Sequence, residues 1–168
     1  MSFASAHAFR VFALFVACCL WLTNPTVSHA AALFPGNTPT NLGVQDGHLS
    51  ACPSSPNCVV SQGVDPDHTI EPLTYVGDRQ VAYQALLQVL SIVPRTEVVT
   101  QTDDYIRTES SSRLMGFVDD AEFYFPSDEP VIQMRSASRL GESDLGVNQR
   151  RLEQIRLAMQ DLGIVSKK

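Results

Sequence analysis

Between Arg95 and Ser138 the chain alternates short β-prone segments with turns of only a few residues, and that punctuation limits what it can fold into. RTEVVTQ (95–101) is followed by Thr102-Asp103-Asp104, then by Tyr105–Ser111, by a turn around Leu114-Met115-Gly116, and by Phe117–Phe125. Pro126-Ser127-Asp128-Glu129-Pro130 then leads into Val131–Ser138. A parallel crossover needs a dozen residues or more, so connections this short join antiparallel neighbours, and the expectation is a meander.

Helices flank this block. Asp78 is placed to cap a helix whose apolar residues Ala82, Ala85, Leu86, Val89, Leu90 and Val93 recur at three- and four-residue spacing until Pro94 stops it. A second helix follows Asn148, a candidate cap, with Val147 and Leu152 placed for a hydrophobic staple. Its buried stripe would be Leu152, Ile155, Met159 and Leu162, leaving Arg150, Arg151 and Arg156 solvated. IEPLTYV (70–76) reads as a short edge strand, with Pro72 near its start. The order β-α-β-β-β-β-α places the domain, residues 51–165, in the α+β class: a four- to five-stranded antiparallel meander with two helices on one face.

Pairing the last two strands symmetrically about their five-residue loop sorts the side chains onto two faces. Phe117, Asp119, Ala121, Phe123 and Phe125 then share a mostly apolar, helix-covered face with Gln133 and Arg135, which makes Asp119 and Arg135 an ion pair, with Arg139 a step beyond. The opposite face gathers Glu109, Asp120 and Glu122 around Arg107. Glu109 and Asp120 would stand opposite each other, which is destabilising unless water, a cation or another base intervenes. That face reads either as a hard-cation site or as a solvated surface with an Arg107–Glu122 pair.

The N-terminus carries Arg10, then the apolar run Val11–Leu22, then Asn24-Pro25 and the small-residue end Ser28-His29-Ala30. At about 1.5 Å per residue the run spans roughly 18 Å, short of a ~30 Å hydrocarbon core. Residues 1–30 therefore read as a secretory leader, with cleavage after Ala30 or Ala32; lipidation at Cys18 is a weaker alternative. Residues 31–50 read as an irregular lead-in, and Cys52 and Cys58 are the cysteines left in the exported chain. Prolines and an asparagine between them describe a tight turn in an oxidising compartment, so a disulfide is expected, worth roughly 2 kcal/mol. A zinc site with His48 and His68, or a redox dithiol, are the competing readings, although the C-x5-C spacing suits neither. Asp65, Asp67 and His68 read as turn-formers.

The segments CPSSPNCVVSQ, SRLMGFVDDAEFYF and VIQMRSASRLGESDLGVNQRRLEQIR closely resemble the domain-of-unknown-function 1499 family. The likeness covers about Cys52 to Leu162 and is similar to that of exported members from cyanobacterial and photosynthetic lineages. It implies weight on Cys52, Cys58, Arg113, Asp119, Asp120, Glu122, Arg135, Ser138, Arg139 and Asp144, and implies no activity. Val60 departs from the family's usual serine.

No phosphate loop, nucleophile elbow or dinucleotide fingerprint appears. Twelve Lys+Arg against 18 Asp+Glu, a net charge of −6, argues against nucleic acid or anionic lipid as a partner. The expectation is an exported binding or accessory domain in the periplasm or thylakoid lumen, with no cofactor and no membrane span once the leader is gone. It would act on an unidentified protein or small ligand through Arg113, Asp119, Asp120, Glu122, Arg135 and Arg139. The alternative is a thiol-redox or metal-dependent enzyme built on the Cys52/Cys58 loop.

Overall fold

The segments β5 (Thr96–Gln101), β6 (Tyr105–Ser111), β7 (Val118–Tyr124) and β8 (Val131–Ser138) form the meander that their short turns require, each antiparallel to the next. The computed structural model describes residues 33–63 and 65–167; the leader and Cys18 lie outside the described residues. Two further strands widen the sheet to six. β3 (Cys58–Val60) pairs with the C-terminal half of β8, and β4 (Leu73–Thr74) with its start, both antiparallel. The regular part of IEPLTYV is thus only Leu73–Thr74.

Helices α1 (Arg79–Ile92) and α2 (Val147–Asp161) cover one face. The Asp78 carboxylate accepts from Gln80 N and Val81 N, as its position before the helix requires. Val93 leaves the helix in an extended conformation because the following Pro94 disfavours the helical one. The expected stripe is buried at Ala82, Leu86, Val89 and Leu90, with Tyr83 added. It packs with Leu152, Ile155 and Met159 onto Ile106, Ala121, Phe123, Phe125, Ile132 and Met134 of the sheet.

Helix α2 starts differently from expectation. Gly146, at φ 76°, occupies its cap position, and the Asp144 carboxylate accepts from Gly146 N and Asn148 N. That acid satisfies the first-turn donors and frees Asn148 to turn inward, where it is buried. Val147 and Leu162 remain substantially exposed, so neither the staple nor the last position of the stripe forms.

The register of β7 against β8 corrects the face assignment. Glu122 stands opposite Arg135 and Phe123 opposite Met134, one residue away from symmetry about a five-residue loop. This slip places Ile132 and Met134 in the core and turns Gln133, Arg135 and Arg139 to the other face. The alternative would bury Gln133 and Arg135 beneath the helices and expose Ile132 and Met134, which the hydrophobic effect opposes. The Asp119–Arg135 pair therefore does not exist. Asp119 stays on the helix-covered face, and Arg135 lies opposite it.

The second face is not solvated either. The lead-in contains a hairpin, β1 (Val44–Gln45) with β2 (His48–Leu49), and residues 36–49 run across this face. Leu49, Val60 and Tyr105 form a small apolar cluster there with Val44, Cys52 and Tyr124. The register is testable by truncation: Met134→Ala is expected to cost about 2–5 kcal/mol in denaturant unfolding and Gln133→Ala under about 1. The reverse order would mean that the register is wrong.

Candidate functional site

Alternation along β6, β7 and β8 sends Arg107, Glu109, Asp120, Glu122, Arg135 and, beyond the strand end, Arg139 to the face beneath the N-terminal arm. Burial there is severe: Glu122 is 0%, Asp120 1% and Arg135 4% exposed. Ionised groups persist in such a place only when paired and hydrogen-bonded.

They are paired in two sets. Arg135 Nη1 donates to Glu122 Oε2 at 3.0 Å, while Glu122 Oε1 accepts from Tyr105 Oη at 2.8 Å and from Gly43 N at 2.7 Å. The last bond ties the arm to the sheet. Glu109 and Asp120 do face each other, and two bases relieve the repulsion. Arg107 Nη1 reaches Asp120 Oδ1 at 2.7 Å and Glu109 Oε1 at 3.0 Å. Arg139 reaches Asp120 through Nε at 2.7 Å and Glu109 through Nη2 at 2.5 Å. The expected Arg107–Glu122 pair is thus replaced by bridges from Arg107 to the acids on either side. Burial, and then the neighbouring Glu122, push the Tyr105 phenol above its usual range, so it remains a donor. The hydrogen-bonded Asp120 raises the Arg139 guanidinium further still, so its charge is permanent.

A second polar set lies on the helix side of the same sheet end. Arg151 Nη2 donates to Asp119 Oδ2 at 2.5 Å, and Arg151 Nη1 to Asn148 Oδ1 at 2.8 Å. Asn148 Oδ1 also accepts from Ser136 Oγ at 2.5 Å, and its Nδ2 donates to Ser138 Oγ and to the Asn57 carbonyl, each at 3.0 Å. Arg151 is therefore an ion-paired strut and not a solvated residue. So is Arg156, which donates to Glu153 and to the carbonyls of Glu71 and Pro72. Asn148 reads from sequence as a cap, Arg151 as solvated and Asn57 as a turn residue of the cysteine loop, so patterning misses this set; an amide and a base at the start of an amphipathic helix are the available signal for the first two.

The remaining candidates fall in two places. Cys52 and Cys58 are joined as a disulfide. His68 turns its Nδ1 to Asp65 Oδ2 at 2.9 Å and its Nε2 to the Ser55 carbonyl at 3.2 Å, while His48 Nδ1 lies 2.9 Å from the Asp46 carbonyl. Asp65 caps the turn Pro66–His68, the turn-forming role its sequence implied. Among the described residues no three of His, Cys, Asp and Glu are grouped to hold a metal. Glu109, Asp120 and Glu122 are interleaved with arginines instead.

Arg113 lies in the β6–β7 turn, exposed and apart from the buried pairs. That turn is closed by Ser112 N to the Phe117 carbonyl at 2.8 Å and by Phe117 N to Ser112 Oγ at 3.0 Å, which holds Leu114 and Met115 outward. Phe34 stacks at a tilt on Phe117, with ring centroids 6.0 Å apart. Gly36, at φ +67°, passes so close to Arg139 and Leu140 that a Cβ would stand 2.9 Å from each, so only glycine fits. Leu140 and Leu145, both exposed, lie in the β8–α2 connection at the same end of the sheet.

The sequence matches the family described as Protein of unknown function (DUF1499) over residues 48–159, well over half of the chain, and the protein belongs to that family. No curated protein and no solved structure matches it.

The His68–Asp65 pair gives the cysteine loop a pH dependence. Hydrogen bonding to Asp65 raises the His68 pKa above its ordinary 6.5, and the same bond lowers Asp65 below 3.8. The histidine contribution is whole below 6.5 and is lost as pH rises through the raised value; the aspartate contribution is whole above 3.8 and is lost as pH falls through the lowered one. Asp65 is more than half exposed, which keeps the effect small. Denaturant unfolding is expected to show His68→Gln destabilising most near about pH 5 and markedly less above about pH 8; a penalty that grows with pH would contradict the pairing.

Proposed function

We propose that this protein is a small exported binding or accessory domain that docks through the sheet end where β6 closes, β7 begins and β8 runs into α2. What carries the reading is the convergence there of exposed apolar side chains from separate segments. Leu114 is 83% and Leu145 84% exposed, beside Met115, Phe117, Phe34 and Leu140. Phe34 meets Phe117 and Gly36 runs against Leu140, and exposed apolar residues gathered from separate segments in this way mark candidate interaction sites. Backbone strain supports it: Leu145, at φ 54°, and Arg95, at φ 55°, hold left-handed conformations that non-glycine residues adopt at a cost of about 1–2 kcal/mol.

In this reading Arg113 touches the partner, while Asp119, Asp120, Glu122, Arg135 and Arg139 position the end that docks. Arg139 pins the exit of β8 to β6 and β7, and Asp119 holds the start of α2 through Arg151. Each of the positioning charges has an oppositely charged partner, although Arg135 Nε is buried without a hydrogen-bond acceptor, and pairing of this kind suits a frame better than a catalytic centre. The apolar leader supports export, to the periplasm or thylakoid lumen, where the Cys52–Cys58 bridge would persist.

A photo-crosslinking residue placed at Leu114 in the native host tests this against one at Val76, which is exposed at the opposite end of the sheet. The expected result is a discrete protein or lipid adduct from position 114 and none from 76. No adduct from 114, or the same adducts from both, would overturn the docking reading.

A further inference from the structure

The two ends of the sheet differ in charge, and the difference bears on what the docking end described above takes as its partner. The chain carries a net −6. At the far end the turns expose Asp78, Asp103, Asp104, Asp128 and Glu129. Arg79, the base beside them, lies 5.6 Å over the Phe125 ring and donates to the Phe125 carbonyl at 3.1 Å. At the docking end the unpaired charges come out even. Arg95, Arg113 and Arg150 have no carboxylate partner, and Glu97, Glu142 and the half-exposed Asp144 have no base, among the described residues.

The signs are also sorted across this end. The sheet order runs β8-β7-β6-β5, so β5 and the β6–β7 turn lie to one side and the exit of β8 into α2 to the other. Arg95 and Arg113 against Glu97 leave the first side positive by one. Glu142 and Asp144 against Arg150, whose Nη1 is held at the Leu145 carbonyl at 2.7 Å, leave the second negative by one. The apolar tips come from both sides: Leu114 and Met115 from the first, Leu140 and Leu145 from the second.

We infer that this end is the contact of a two-fold symmetric homodimer, in which the Arg95–Arg113 side of one copy meets the Glu142–Asp144 side of the other while Leu114 and Leu145 pack across the axis. The inference rests on the docking reading and names its partner. A two-fold axis makes each contact twice and needs a surface that is its own complement. Apolar tips on both sides, flanked by charge of opposite sign, meet that requirement. A strongly anionic or cationic partner gains little from a patch without net charge, whereas two acidic copies meet here without the repulsion that the far end imposes.

Sedimentation velocity of the protein, as processed by its own host, provides the test. A dimer fraction that rises with concentration is expected. Leu114→Ser with Leu145→Ser should lower the association constant by about tenfold or more. Arg113→Glu alone, or Glu142→Arg alone, sets like charges against each other at both symmetry-related contacts and should lower it by about tenfold. An equimolar mixture of those two single variants restores opposite charges at both contacts, so it should associate within about twofold of wild type. All four side chains are exposed, so melting temperatures should match wild type, which separates lost association from lost folding. Monomer at every concentration, a leucine variant that associates like wild type, or a mixture no tighter than its parts overturns the dimer. If the dimer fails while crosslinking from position 114 captures another protein, docking through this end stands and a second copy as its partner falls. If both fail, neither stands.

Discussion

Glu122 and Arg135 face each other across β7 and β8 in a space with no access to water, and much of the remaining structure follows from keeping that pair complete. A buried ion pair contributes little net stability, because desolvation of both partners offsets their attraction. Losing one partner is another matter, since the survivor is then a buried, uncompensated charge. The pair therefore penalises alternatives more than it favours the native state. A one-residue slip of β8 would separate the charges and also reverse which of its side chains enter the core. Hydrophobic pattern and electrostatics thus select the same register, and the arm adds a third constraint by donating Gly43 N to the same carboxylate.

The consequences accumulate at one end of the sheet. Arg139, just past β8, binds Glu109 and Asp120 on the face beneath the arm. On the other face, Asp119 and Arg151 hold the first turns of α2, and Asn148 links β8 to the cysteine loop through the Asn57 carbonyl. The disulfide keeps that loop short, so the carbonyl stays where Asn148 needs it. Strands, arm and helix start are therefore locked together behind turns whose tips are apolar and flanked by arginine. Rigidity there has a use: a preorganised surface loses less conformational entropy on association than a floppy one.

The meander and both helices were legible because they depend on local signals: turn residues, apolar spacing, Asp78 before a helix and Pro94 after it. The charged candidates were legible as oddities, acids and bases set within strongly apolar strands. Their partners were not, since pairing depends on register. Symmetry about the five residues between Phe125 and Val131 suggested one register, whereas Ile132 and Met134, the larger apolar residues of β8, pointed to the other and prevailed. The roof over the charged face could not be read from residues 31–50, whose hairpin strands are two residues long and lack apolar alternation.

The most direct test of this account is a double-mutant cycle on Glu122→Gln and Arg135→Met, read by denaturant unfolding. Each single change should cost about 3–5 kcal/mol, and the double variant should be more stable than the sum of the singles requires by more than about 1 kcal/mol. Additive costs, agreeing within about 0.5 kcal/mol, would mean that the two side chains do not meet. The register, the arm's anchor and the frame behind the docking end would then all have to be redrawn.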